Sequence, residues 1–434
     1  MGGHAYPKEL AATAWERWRE LERLSDPGPC ETRGGALPDR ERLEALLSVA
    51  YQASLLHEED RPVRFRLYVG EPELIPDGDG PPSGLHRLRF GETRAYDEGE
   101  LRRLAAAAKY HRALIGVALR GDAFRIWGIV QSGPRWLESA RGGRALASPV
   151  PSDAIVVRVV DAGHVIVMVG DVKLGELRTG RIEASSLNVF DAPWLRVQFA
   201  AWRSEVAAMH KARMNGEGAT LDPDGVRIVS QQLVKRALAT VRDGHHGGTF
   251  LYVPSEHAPR LLREAIHVKY PFVDDPSRRR YQTLLLDVMR ELALAGNDAP
   301  RAERVGWEHY RRTARKSIAL LDEAIAEMSH LLAGLADVDG AVLLTDRLEV
   351  LGFGAEIVGP LPDVTTIRRA HDLAGTSFDE VRIDGVGTRH RSAYRLCAYE
   401  PGCLAIVMSH DGGVQFVKSL DGALTFWEQG EALI

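Results

Sequence analysis

Cysteine is scarce in this chain of 434 residues: Cys30, Cys397 and Cys403 are all there is, an odd number with no Cys-x-x-Cys and no paired Cys/His spacing. That excludes a disulfide framework and a structural zinc site, and it fits reduced thiols in a cytoplasmic protein. Long apolar runs are missing too. Met1-Gly-Gly-His-Ala-Tyr-Pro7 runs straight into Lys8 and Glu9, and no later stretch reaches the length of about 18 apolar residues that a membrane helix needs. The expectation is a cytoplasmic chain without a membrane segment. Nor does either charge dominate: 55 Lys and Arg stand against 60 Asp and Glu, a formal net charge of -5. Such a balance gives no footprint for non-specific binding to DNA, RNA or anionic membrane, and there is neither a basic tail nor a helix-hairpin-helix pattern. Any polyanion must be met by a local site.

What is present is an ordinary globular composition, 45% apolar and 26% charged, which excludes disordered and collagenous classes. The length suits two domains. Helical spacing marks residues 8 to 24 and 40 to 56, the second with Leu43, Leu46, Leu47 and Tyr51 on one face, so residues 1–60 read as a helical segment. The period then changes to two. Val63, Phe65, Leu67 and Val69 alternate with polar residues, the pattern of a half-buried strand. Pro76 to Gly84 is turn chemistry; Asp77 and Asp79 are spaced as in a calcium loop, whose other ligands and closing Glu are missing. A helix near 98 to 109 and strands at 113 to 119, 124 to 130, 154 to 160 and 165 to 169 follow, the last two joined by a turn at Asp161-Ala-Gly163. Residues 61–220 therefore read as an α+β unit. No nucleophile-base pair or metal spacing occurs in it, so a sensory or regulatory role for an unidentified ligand stands beside that of a ligand-free scaffold.

A helix from about 195 to 214 leads to Asn215-Gly-Glu-Gly218, a boundary in the making. From 225 to 434 the order is α/β: a helix over 226 to 242, the turn Gly244-His-His-Gly-Gly248, a buried strand over 249 to 253 and a helix over 256 to 266. Residues 276 to 335 read as a helical insertion with two apolar seams, Tyr281/Leu285/Val288/Leu292 and Ile318/Leu321/Ile325/Met328/Leu332. Short strands return at 341 to 345, 350 to 358, 403 to 408, 414 to 418 and 424 to 427, with a helix near 389 to 399.

The densest chemistry is Gly387-Thr-Arg-His-Arg-Ser-Ala393. Thr388 suits a helix N-cap, and Arg389, His390 and Arg391 would add cationic donors to the free N–H groups of the first turn, a cradle for a polyphosphate. Such a triplet alone also describes a solvated helix start. Two acidic turns accompany it, Asp339-Gly340-Ala341 before one apolar strand and Ser409-His410-Asp411 after another, where carboxylates could hold Mg²⁺ or Mn²⁺.

In this order the three motifs resemble the signature of diadenylate cyclase (DAC) domains, and the helix with Gln231, Leu233, Val234, Ala237 and Leu238 followed by His-Gly-Gly-Thr-Phe-Leu-Tyr-Val is similar to the opening of the same fold. The resemblance covers about 225 to 270 and 336 to 430. It implies a mixed sheet flanked by helices, ATP as substrate, cyclic di-AMP as product, and a homodimer in which two ATP molecules meet. It further implies Asp339, with Asp411, as metal ligands; Arg389, His390 and Arg391 as phosphate-holding catalytic groups; and Gly340, Ala341, Gly387, Thr388, Ser392 and Ser409 around the nucleotide. The segment Gly352-Phe-Gly-Ala355 would line the adenine or serve as core packing. Where the family reads Ser-Glu-Glu this chain has Ser-His-Asp. A nucleotide-binding sensor that has lost turnover is the alternative.

Overall fold

In the computed structural model, which describes residues 4–24, 37–75, 80–81, 84–133, 144, 155–170, 172–182, 187–244, 246–296, 304–410 and 412–430, Phe65–Val69 is a strand buried along its whole length. Phe65, Leu67 and Val69 enter one apolar core, while Tyr68 enters another with Leu114, Trp127 and Val156. The half-buried strand expected here is thus corrected: both faces are covered. Arg66, which the alternation sends toward solvent, is fully buried; its Nη2 donates to the carbonyl of Ala113 at 3.2 Å and to Ser132 Oγ at 3.1 Å. The guanidinium also stands over the Tyr110 ring, so polar and π partners offset the cost of burying it.

Two units divide the chain, residues 1–185 and 186–434. In the first, an eight-stranded sheet runs in the order Arg181–Ile182, Val172–Arg178, His164–Val169, Ile155–Asp161, Phe65–Val69, Ala113–Arg120, Ala123–Gln131, His86–Ala95. One contact is parallel, Phe65–Val69 with Ala113–Arg120. Helices Pro7–Leu24, Arg40–Ser54 and Glu98–Ala107 supply Leu10, Leu43, Leu47 and Leu101 to the core on one face of the sheet. Amphipathic helices need an apolar partner, and the sheet provides it, so the helices of residues 1–60 belong to this unit. Asp39 and Asp97 cap the second and third of them, accepting from the N–H groups of Arg42 and Glu100. Asp77 and Asp79 lie outside the described residues.

The second unit begins well before residue 220. Phe190, Trp194, Trp202 and Val206 are buried in the same core as Leu233, Phe250 and Trp427, so residues 186–220 complete this unit and not the preceding one. The helix expected over 195 to 214 is two, Pro193–Gln198 and Ala200–Met214, broken at Phe199. The nine-stranded sheet runs Ile266–Pro271, Val350–Ile357, Ala341–Thr345, Gly248–Val253, Leu404–Met408, Val414–Leu420, Ala423–Gln429, Thr366–Ala370, Phe378–Arg382. Phe250 and Tyr252 face a core built with helices Pro223–Asp243, Arg280–Gly296 and Lys316–Ala336. Leu251 and Val253 face the other, built with Ala258–Glu264 and Thr388–Tyr399. A sheet covered on both faces explains why its central strands read as apolar runs. The insertion closes on the body of the unit, where Arg236 donates to Asp322 Oδ1 at 2.7 Å; within the insertion Tyr310 Oη donates to the same oxygen at 2.5 Å. Strands Ile266–Pro271, Thr366–Ala370 and Phe378–Arg382 carry His267, Lys269, Arg368, Arg369, Asp379 and Glu380, and so gave no apolar signal. The fold is mixed α and β throughout, and among the described residues no helix is long and apolar enough to cross a membrane.

Candidate functional site

Gly248–Val253 has Ala341–Thr345 as its parallel neighbour on one side and Leu404–Met408 antiparallel on the other. The beginnings of the first two strands and the end of the third therefore meet at one end of the sheet. Asp339 and Gly340 enter there, with Gly247 beside them and Ser409 leaving the third strand. The helix Thr388–Tyr399 is pinned by Ala393, Leu396 and Cys397 to the core on one face, and its start arrives at the same end. Arg389 Nη2 lies 3.7 Å from Asp339 Oδ1, and its Nη1 rests against Gly247. Residues fifty positions apart in sequence thus share one site.

Local geometry explains several residue types. Gly340 has φ +111°, and a Cβ there would stand 2.6 Å from the backbone carbon of Gly354, so a side chain is excluded by both conformation and space. Ala341 is 5% exposed and sits opposite Ala355. Gly387, not Thr388, is the N-cap, with no side-chain capping bond; Thr388 is the first helical residue. A glycine cap leaves the first-turn N–H groups without a side-chain acceptor of their own, the arrangement that receives anions. Ser409 turns on itself, its N–H and Oγ both reaching the carbonyl of Gly413 at 2.9 and 3.2 Å. Asp411 lies outside the described residues.

The triplet does not act as a block. Arg389 reaches the strand ends, whereas Arg391 curls back toward the carbonyl of Val386 at 3.4 Å on the rim of its own helix. His390 lies edge-on to the ring of Tyr394, one turn further, at 6.2 Å between centroids. Thr388 is exposed and Ser392 half-buried. Four ionisable groups that the sequence did not single out border this end of the sheet. Lys269 Nζ is 2.7 Å from Glu356 Oε1, and His246 Nδ1 is 3.4 Å from Asp337 Oδ1. The hydrogen bond and charge of Glu356 hold the Lys269 ammonium above its usual range, with Asp339 adding to the effect. The same pair holds the Glu356 carboxyl below its own. The turn around His246 carried only a loop signal, because its glycines say nothing of which strand ends will be neighbours.

Asp339 is 97% exposed, a carboxylate with room for a ligand. Among the described residues no three His, Cys, Asp or Glu side chains are grouped to hold a metal ion. The described residues supply one carboxylate here, that of Asp339; Mg²⁺ commonly takes one or two carboxylates and fills its other positions with phosphate oxygens and water.

By fold and site, then, this is a two-unit α+β protein whose second unit gathers an acid and a guanidinium at one end of its sheet. Residues 33–131, within the first unit, match the family model described as "Probable sensor domain DACNV". The N-terminal region is sensor-like, and strands Ile155–Asp161 to Arg181–Ile182 extend its sheet beyond the matched residues. No curated protein matches the chain.

Proposed function

We propose that the unit from about Gly225 to Ile434 is a diadenylate cyclase that condenses two ATP molecules into cyclic di-AMP and pyrophosphate. The observation that carries this reading is the meeting of Asp339 and Arg389 at 3.7 Å, from the two motifs that the DAC resemblance pairs. The family DACNV is itself associated with DAC proteins, which supports the same reading.

In the reaction each ribose 3'-oxygen forms a bond to the α-phosphorus of the other nucleotide, the bond from that phosphorus to the bridging oxygen of pyrophosphate breaks, and the 3'-hydroxyl proton is lost. Two such steps close the ring, so two protomers, each with one ATP, must face one another. Arg389 neutralises the phosphates, with Arg391 adding charge and His390 a ring nitrogen for hydrogen bonding from the same helix start. Thr388 and Gly387 offer backbone N–H groups, Gly340 and Ala341 let the chain approach closely, and Ser392 and Ser409 border the nucleotide. A divalent ion held by Asp339, with Asp411, would supply charge neutralisation on the phosphates. The Asp339–Arg389 pair is exposed and so weakly held, which lets a triphosphate take its place at the guanidinium. The sensor-like region sets how readily two second units meet, in response to a ligand of its own.

A second reading is favoured by His410, which stands where the family pattern has an acid: a nucleotide-binding sensor without turnover. The test is incubation of the purified protein with ATP and Mn²⁺ or Mg²⁺, read by mass spectrometry. Cyclic di-AMP is expected, and Asp339→Asn is expected to lower its rate by about 10²-fold or more, the scale on which loss of one pre-organised charged group acts. ATP binding without product under either metal would reject the cyclase in favour of the sensor.

A further inference from the structure

Gly247 immediately precedes the central strand Gly248–Val253, and its backbone is not in the left-handed region that favours glycine. Conformation therefore does not call for a glycine here. Space does. A Cβ at Gly247 would stand 2.4 Å from Arg389 Nη1 and 2.9 Å from the carbonyl oxygen of Met408, closer than carbon tolerates. The nearest obstacle is the end of a long, 43% exposed side chain, which can swing away where a backbone cannot. Gly248, next in the chain, presents a different surrounding: a Cβ there would meet Ala336 Cβ at 3.1 Å and Met408 Cε at 3.2 Å, and nothing of Arg389.

We infer that Gly247 is a positioning residue for the phosphate site, the berth that holds the Arg389 guanidinium at the strand ends beside Asp339. The inference rests on the nucleotide reading above. Arg389 lies between two walls, the carboxylate of Asp339 on one nitrogen and the bare Cα of Gly247 on the other. A guanidinium recognises phosphate through two nitrogens in a fixed fork, so a lateral displacement costs more than it would for an ammonium. Any side chain at 247 fills the berth and turns Arg389 out to solvent, where Arg391 already is. Gly247 touches no nucleotide in this scheme. On ATP binding it acts through Arg389, which makes that effect of substituting it conditional on the arginine; the Met408 carbonyl oxygen, 2.9 Å from a Cβ there, is a separate obstacle that bears on stability.

The experiment is calorimetric titration of ATP, without added divalent cation, into the full-length protein and four variants: Gly247→Ala, Arg389→Ala, the double variant and Gly248→Ala, with melting curves for each. Gly247→Ala is expected to weaken ATP about tenfold, the loss of one charge-assisted contact. The double variant is expected to bind no more weakly than Arg389→Ala, and Gly248→Ala to bind as the parent does. Any lowering of the melting temperature in Gly247→Ala is expected to persist in part without Arg389, because the Met408 carbonyl still stands 2.9 Å from the new Cβ, so binding and not melting decides. Unchanged binding in Gly247→Ala overturns the inference. So does a further loss of binding in the Arg389→Ala background, or an equal loss in Gly248→Ala. A parent protein that binds no ATP rejects the nucleotide reading itself and the inference with it, an outcome distinct from the others.

Discussion

Gly340 shows how much one missing side chain decides. Its φ of +111° is strained for any L-residue, and its Cα is packed within reach of the Gly354 backbone. Gly340→Ala should therefore cost at least about 1–3 kcal/mol from strain, and the clash should move the Asp339 carboxylate as well. A lowered melting temperature, together with loss of the proposed cyclic di-AMP formation, is the expected result; an alanine variant that melts and turns over as the parent does would show that this approach is not needed. Arg389 and Arg391 make the opposite point. They are equivalent by type and two positions apart, yet the first meets Asp339 and the second meets the rim of its helix. Arg389→Ala should thus weaken ATP binding more than Arg391→Ala, measured by titration at one ionic strength, because the surface contribution of Arg391 is the more easily screened.

Neighbouring strands can bury charge that neither could hold alone. In the hairpin of His164–Val169 and Val172–Arg178, Glu176 is fully buried and bonded to His164 Nε2 at 2.8 Å and Lys173 Nζ at 2.7 Å. Burial pushes its carboxyl up, but the bond to His164 and the charges of Lys173 and His164 outweigh this and bring it down to about 2. A carboxyl held below its unfolded value stabilises the fold fully above that value, near 4.5, and the contribution disappears as pH falls toward 2. The loss should be on the order of 2–3 kcal/mol across that window. Melting of the first unit should steepen its decline there, and Glu176→Gln should flatten it while lowering stability at neutral pH, since Lys173 then loses its counter-ion. A decline of the same steepness in both proteins would assign the acid sensitivity elsewhere.

The division at residues 185 and 186 sets where the chain can be cut. A fragment of residues 186–434 keeps Phe190, Trp194, Trp202 and Val206 in the core of the second unit, and it should fold. A fragment starting at 221 loses all four. Truncating one buried aromatic costs about 3–5 kcal/mol, so the shorter fragment should melt far lower or fail to fold. Circular dichroism of the two separates these outcomes, and equal melting temperatures would place the boundary near 220 after all. With the longer fragment in hand, removal of the sensor-like region should change the rate of cyclic di-AMP formation or the dimerisation of the remainder. No change in either would leave the region without a regulatory part in the proposed reaction.

Periodicity and punctuation placed most elements within a few residues, because a helix or strand that must bury one side writes that need into local spacing. The helix Arg40–Ser54, with Leu43, Leu46 and Leu47 on its buried face, is readable in this way. Motif order pointed to Asp339 and Arg389 as members of one site. Local spacing carries no record of what lies opposite, however. That Arg66 is buried, that Gly247 makes room for Arg389, and that Trp194 and Trp202 pack with the second unit all follow from which strands became neighbours. Strand neighbours are fixed by contacts between residues tens to hundreds of positions apart, for instance Gly248 with Met408, and only the closed sheet contains them.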